Sequence, residues 1–318
     1  MQFTTPIPIA KSTHQINYSS KIISLGSCFA VNIGEKFDYF KFQNTINPFG
    51  ILFHPLALEK VILKALAKEE FTEGDIFFHN ERWHSFDVHS DLSTADKIGF
   101  LKTLTASLEV LHLNLAQASH VIITLGTSWV YRNNETDAIV ANCHKVPQKA
   151  FKKELLSVEA IKQSLQGIIN AISKANPKAK IIFTISPVRH IKDGFIENQW
   201  SKANLISALQ QTLQSEYCNL NTGYFPSYEI MMDELRDYRF YAEDMIHPNQ
   251  TAIDYIWKRF SETWISEEAL DFMPEIDSIQ KGLQHRAFNP ETEAHQKFLA
   301  SLKAKIVAVQ EKWPHIQF

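Results

Sequence analysis

Cysteine is scarce in this chain: Cys28, Cys143 and Cys218 are the only three in 318 residues, and no two form a C-x-x-C pair. An odd, sparse set argues against a disulfide framework and fits a reducing compartment. Glycine is thin too. None of the 10 glycines builds a G-x-G-x-x-G or Walker pattern, which excludes the usual phosphate-cradling loops. Positive charge has no excess, with 32 Lys and Arg against 35 Asp and Glu and a net charge of −3. No basic field is available to draw in nucleic acid or an anionic membrane, so neither is expected as a partner. No apolar run reaches membrane-spanning length. The start, Met1 to Ile9, lacks a basic segment and carries Pro6 and Pro8, so it does not read as a signal peptide. The expectation is a soluble, cytoplasmic protein whose oligomeric state the sequence leaves open.

What is present is an alternation of strand-sized apolar runs and helical patterns. Apolar residues make up 45% and charged residues 21%, ordinary values for a globular protein. Lys21 to Leu25, Phe42 to Ile46, His120 to Leu125, Lys180 to Ile185 and Thr222 to Phe225 read as strands. Between them, apolar residues recur at threes and fours: Phe29, Ile33 and Phe37; Leu58, Ile62 and Leu66; Leu101 through Leu115; Ile161 through Ile172; Leu205 through Leu213; Ile253 through Trp264. Such alternation predicts a doubly wound, mostly parallel α/β sheet of about five strands. Two stretches fall outside it: 71–91, rich in aromatic and histidine residues, and 129–141, patterned as a hairpin. Each is an insertion, the first a hairpin or lid. From 267 to 318 the chain reads as a helical extension packed on a domain spanning 1–266, with Phe298, Leu302, Ile306 and Val309 on one face.

Two clusters carry potential chemistry. In Leu25-Gly26-Ser27-Cys28-Phe29, a strand stops at a glycine and a helix begins, placing two adjacent nucleophiles beside helix N-terminal amides. Those amides favour a thiolate or an oxyanion. Asp244-Met245-Ile246-His247 offers a carboxylate able to bond imidazole Nδ1 and leave Nε2 facing a nucleophile. Each cluster also has a bland reading, as a small buried pair and as a capped turn with a loop histidine. A zinc site of Cys28, Cys143, His144 and His247 is a rival reading, but no metal-ligand spacing supports it, so neither metal nor cofactor is expected.

These residues also carry a resemblance. The run Gly26-Ser27-Cys28-Phe29-Ala30 resembles the signature of the GSCFA family, which is similar to a divergent branch of the SGNH/GDSL hydrolases. The likeness extends through Asn47-Pro48-Phe49-Gly50, Gly126-Thr127-Ser128-Trp129, Asn142-Cys143-His144, Ser186-Pro187-Val188-Arg189-His190 and Asp244 to Pro248. It implies a three-layer α/β/α sandwich of flavodoxin-like SGNH type. In register with the superfamily pattern, Cys28 falls at the nucleophile and Ser27 beside it, with Ser27 the alternative nucleophile. Asp244 and His247 fall at the acid and base. The resemblance also implies an oxyanion hole that uses the backbone amides of Cys28 and Gly50, with help near Ser128 in the Gly126–Ser128 turn. Ser128 stands where an asparagine is usual, and its hydroxyl has a shorter reach than an amide.

The function this implies is a hydrolase or acyl transferase acting on an ester, or a thioester, by a Cys/Ser-His-Asp covalent mechanism, with a small-molecule or acylated substrate. The substitutions at the usual Asp, Ser and Asn positions raise an alternative, a non-catalytic ligand-binding module on the same fold. Asn47, His144 and Arg189 join Gly50, Gly126 and Ser128 as candidate substrate or oxyanion residues. Arg189 is suited to clamp a carboxylate or phosphate.

Overall fold

The computed structural model describes residues 4–215, 221–286 and 288–318; Cys218, one of the three cysteines that argue against a disulfide framework, lies outside them. The chain runs β1 (Lys21–Gly26), α1 (Cys28–Tyr39), β2 (Gln43–Ile46), α2 (Pro55–Ala67), β3 (Phe77–His79), β4 (Arg82–His84), α3 (Lys97–Gln117), β5 (His120–Leu125), β6 (Trp129–Asn133), β7 (Ile139–Val140) and β8 (Phe151–Leu155). It continues through α4 (Val158–Ala175), β9 (Lys180–Ile185), α5 (Phe195–Leu213), β10 (Thr222–Phe225), α6 (Ser227–Glu229), α7 (Gln250–Trp264), α8 (Glu267–Gln284) and α9 (Glu293–Lys312).

Five strands form one parallel sheet in the order β10-β9-β5-β1-β2. The central strands are apolar on both faces because helices cover both, as a parallel sheet requires. Ile23, Leu25, Val121, Ile123, Ile181 and Phe183 face a layer made by α2, α3, α4 and α5. Ile22, Ile122, Ile182 and Phe225 face the opposite layer, which includes α1 and α7. Each strand alternates between the two cores with the period of two that the pleat dictates. The result is the parallel sheet of five strands that the alternating pattern implied, in the three-layer α/β/α sandwich that the resemblance implied.

The two C-terminal helices extend the second core. Ile276 and Ile279 of α8, with Leu302 and Val309 of α9, are buried in one cluster with Ile16, Tyr18 and Phe37. Tyr39 ties α1 to α8 through its hydroxyl, which donates to Asp277 at 2.8 Å, and through its carbonyl, which accepts from Gln280 at 2.8 Å.

The insertions are small antiparallel sheets. β3 and β4 form a hairpin. The second insertion is larger than its sequence pattern suggested, because β8 pairs along the whole of β6 and makes a three-stranded sheet, β7-β6-β8. β8 reads Phe-Lys-Lys-Glu-Leu, a half-exposed segment with charge at its centre, so no buried run advertises it.

The strand order reverses between β1 and β5, which extend the chain to opposite sides of the sheet. A crevice opens beyond the carboxyl ends of the strands at such a reversal. The turn after β1 holds Ser27 and Cys28, and the turn after β5 holds Gly126 to Ser128. Gly26 makes the close approach possible. Its φ is +127°, and a Cβ there would sit 2.1 Å from the carbonyl oxygen of Thr124 on β5.

Candidate functional site

Cys28, Asp244 and His247 line one open cavity of about 800 Å³ at this edge of the sheet. Phe53, Thr127, Arg189 and His190 form part of its inner wall, and the β6-β7-β8 insertion supplies another side through Trp129, Val140 and Phe151. The 71–91 insertion contributes no lining residue. Its aromatic and histidine residues instead pack behind the wall, where Phe77 stacks on Phe86 and His84 lies against His144. A larger groove of about 1060 Å³ runs between residues 4–8 and 233–258. Its lining residues include no cysteine, histidine or serine.

Cys28 opens α1, with Ser27 as the N-cap residue. The backbone amides of Cys28 and Phe29 face the thiol and favour its ionised form, but burial outweighs them and pushes the Cys28 thiol above its ordinary range. The helix N-terminus thus does not deliver a ready thiolate, contrary to the expectation from sequence, because desolvation exceeds what two amides return. Cys28 therefore needs a base.

A candidate base lines the same cavity. His247 Nδ1 lies 2.6 Å from Asp244 Oδ2. The other carboxylate oxygen of Asp244 accepts the backbone N–H groups of Ile246 at 2.9 Å and His247 at 3.0 Å. These bonds, led by those from His247, hold the Asp244 carboxyl down to about 2. An ionised carboxylate at that distance requires the proton on Nδ1, which leaves Nε2 as the basic nitrogen. The loop is pinned from outside: Arg189 donates its backbone N–H to Ile246 O at 3.2 Å and Nη1 to Met245 O at 2.9 Å. Ala242 donates to His247 O at 2.7 Å, and Asn249 caps α7 immediately downstream by accepting from Ala252.

Ser27 is placed differently. It is fully buried, does not line the cavity, and its hydroxyl has no hydrogen-bond partner among the described residues, not even the usual N-cap bond. Of the two adjacent nucleophile candidates, Cys28 is the one with access.

The expected oxyanion residues are mostly committed elsewhere. The Gly50 amide donates to Asn47 O at 2.8 Å within its own turn. The Gly126 amide donates to Phe53 O at 2.8 Å. Ser128 turns away from the cavity: its hydroxyl donates to Ser201 O at 3.0 Å and its amide to Ser201 Oγ at 2.8 Å. Asn47 uses Oδ1 to accept the Gly26 amide at 2.8 Å, so it shapes the end of β1 and does not line the cavity. His144 is buried behind the wall with Nε2 2.6 Å from Ser85 O, and burial lowers it to about 4. These five positions are structural by their contacts. Arg189 does line the cavity, and its guanidinium lies among the rings of Phe195, Tyr238 and Tyr241 with no carboxylate of the described residues in ion-pair contact.

Two residues beside the nucleophile turn lie outside the set read from sequence. His190 lines the cavity, its Nε2 is buried without a partner, and burial lowers it to about 3. Lys202 of α5 is fully buried and donates to Gly126 O and Ser186 O, both at 2.7 Å. A signal for it existed: Lys202 falls in register with Leu205 and Leu209, on the stripe that α5 buries.

Comparison with known proteins follows from this geometry. The model of the GSCFA family matches residues 21–260, and that of the GSCFA domain protein C-terminal domain matches 276–318. No curated protein matches the chain significantly. Among solved structures, one described as a "putative platelet activating factor" from Streptococcus pneumonia is 11% identical, with 76% of this chain and 83% of that chain covered at a TM-score of 0.40. An acetyl xylan esterase from the rumen bacterium Butyrivibrio proteoclasticus is also 11% identical, with 85% of this chain and 66% of that one covered at 0.38.

Proposed function

We propose, from the premise that this chain belongs to the GSCFA family, that it is an SGNH-like hydrolase or acyl transferase with Cys28 as nucleophile, His247 as general base and Asp244 as the group that orients His247. One observation carries the reading: an accessible thiol at a strand-to-helix turn and an Asp-oriented imidazole border the same cavity.

The chemistry follows from the protonation states. Cys28 is held as a thiol by burial, so attack on an ester carbonyl requires its proton to pass to His247 Nε2. The S–C bond forms as the carbonyl π pair moves to oxygen. The tetrahedral oxyanion then collapses, the C–O bond breaks, and the alcohol leaves with the proton from His247. Water, or an acceptor alcohol or amine, attacks the resulting thioester by the same route in reverse. The Cys28 amide at the N-terminus of α1 is the donor best placed to meet the oxyanion. The substrate is a small acyl ester or an acylated molecule able to enter an open 800 Å³ cavity.

A panel of short-chain 4-nitrophenyl esters tests this reading. Turnover is expected in the unaltered protein and in Ser27→Ala, with loss in Cys28→Ala and His247→Ala. Activity surviving the loss of both Cys28 and His247 overturns it.

The alternative of a binding module draws on one observation. Gly50, Gly126 and Ser128 have all spent their donors on the scaffold, so a conventional three-donor oxyanion hole is not assembled. Saturable binding of an ester by a protein that never turns it over would favour that reading.

A further inference from the structure

Lys202 is an isolated cation in the core. Its side chain is fully buried, and two of its three N–H donors end on the carbonyls of Gly126 and Ser186, at the carboxyl ends of β5 and β9. No carboxylate of the described residues forms an ion pair with it; the only further cation partner is the Tyr228 ring at 5.6 Å. A buried ammonium without a counter-ion is costly, and structural networks seldom retain one.

The position of Lys202 points to what the charge serves. Gly126, whose carbonyl it holds, packs directly on the nucleophile turn: a Cβ on Gly126 would lie 3.1 Å from Ser27 Cβ and 3.5 Å from His190 Nε2. Ser201, the preceding residue, ties the Thr127 hydroxyl and the Ser128 amide to the same helix turn. Helix α5 therefore carries one side chain that fixes the β5 turn and one that places a positive charge behind it.

The groups facing Cys28 can be named. Lys202 approaches from α5, His190 from the turn after β9, and His247 with Asp244 from the loop before α7. Both histidines are bases, the Asp244 charge is spent on His247, and the Arg189 guanidinium donates to Met245 O. Of the charged neighbours, Lys202 is the one that stabilises a negative Cys28 sulfur, and Cys28 is the one acidic group that favours the charged form of Lys202.

We propose that Lys202 is a positioning residue for the nucleophile: a fixed internal cation, held by the Gly126 and Ser186 carbonyls, that is the counter-ion of the Cys28 thiolate. This rests on the reading of Cys28 as nucleophile. It explains how a desolvated cysteine reaches its ionised form when the proton moves to His247, and why a lysine occupies the apolar stripe of α5. Burial lowers Lys202 to about 7, so the charge is available near neutrality and withdrawn above it.

Iodoacetamide alkylation with peptide mapping, run from pH 5 to 11, tests the pairing without any substrate. Cys143 is the internal comparison: burial pushes it up to about 11, with no cation of the described residues lowering it. In the unaltered protein the Cys28 profile should carry an inflection near pH 7, where Lys202 itself titrates, that the Cys143 profile lacks. In Lys202→Gln, which keeps amide donors for the two carbonyls, the inflection near pH 7 should be lost, while the alkaline limb, where Lys202 is already uncharged, should stay where it is. Alkylation near pH 7 should slow about tenfold, with the limiting alkaline rate unchanged. Lys202→Arg should keep a profile closer to that of the unaltered protein. A profile unchanged in Lys202→Gln, or a Cys28 profile without the inflection near pH 7 in the unaltered protein, overturns the proposal. Should Lys202→Gln fail to fold, that second comparison still decides it. Failure of the nucleophile reading looks different: ester turnover survives Cys28→Ala whatever the alkylation profile.

Discussion

His247 Nδ1 sits 2.6 Å from Asp244 Oδ2, within a four-residue loop whose own backbone amides occupy the other carboxylate oxygen. The acid therefore needs no help from a distant element: one loop supplies base, orienting group and the bonds that hold the orienting group ionised. Asp244→Asn should reverse the tautomer, because an amide N–H would face Nδ1. A fall of about 10³ in kcat for 4-nitrophenyl acetate is expected, with the fold intact by circular dichroism. An unchanged kcat would mean that Asp244 only shapes the turn.

Ser27 and Cys28 separate cleanly by substitution. The Ser27 hydroxyl is buried and unpartnered, so Ser27→Ala removes an unsatisfied group and should leave stability equal or higher by up to about 1 kcal/mol. Activity should survive it. Loss of turnover in Ser27→Ala, measured beside urea denaturation, would return the nucleophile role to serine.

Gly26 marks where the sheet and the site share a constraint. A Cβ there would meet the Thr124 backbone at 2.1 Å in a φ of +127°. Gly26→Ala should destabilise by about 3 kcal/mol or more, from strain and the forced separation of β1 and β5. A midpoint in urea equal to that of the unaltered protein would contradict the packing described.

Acid should weaken the fold in a defined window. Burial holds His54, His120 and His144 down from 6.5 to about 4, and His190 to about 3. Between those values the unfolded chain binds protons that the folded chain does not, so stability rises with pH across the window and is lost as pH falls through it. Each histidine contributes up to about 1.4 kcal/mol per pH unit crossed. Urea midpoints at pH 7, 5.5 and 4.5 should fall in that order; a flat series would contradict the burial of these rings.

The sheet was legible because its strands are buried on both faces: Lys21–Leu25, His120–Leu125 and Lys180–Ile185 read as short, mostly apolar runs, and the helices between them keep their stripes. β8 was not, since Phe151–Leu155 is half exposed and interrupted by charge. The acid–base loop was legible as a local spacing, Asp244 to His247. The roles given to Gly50, Ser128 and His144 were not settled by sequence, because each depends on where one hydrogen bond points: to Asn47, to Ser201 and to Ser85. Lys202 is the opposite case, a charged residue in a helical stripe that sequence shows plainly and that acquires meaning only when α5 is laid against Gly126 and the nucleophile turn.

The most direct test of the account is capture of the acyl-enzyme. Mixing with 4-nitrophenyl acetate, quenching in acid and mapping peptides by mass spectrometry should locate one acetyl group, in a thioester, on Cys28. It should appear together with a burst of nitrophenol of one equivalent per chain and be absent from Cys28→Ala. A burst that persists in Cys28→Ala, or an acetyl group found on Ser27 instead, would contradict it.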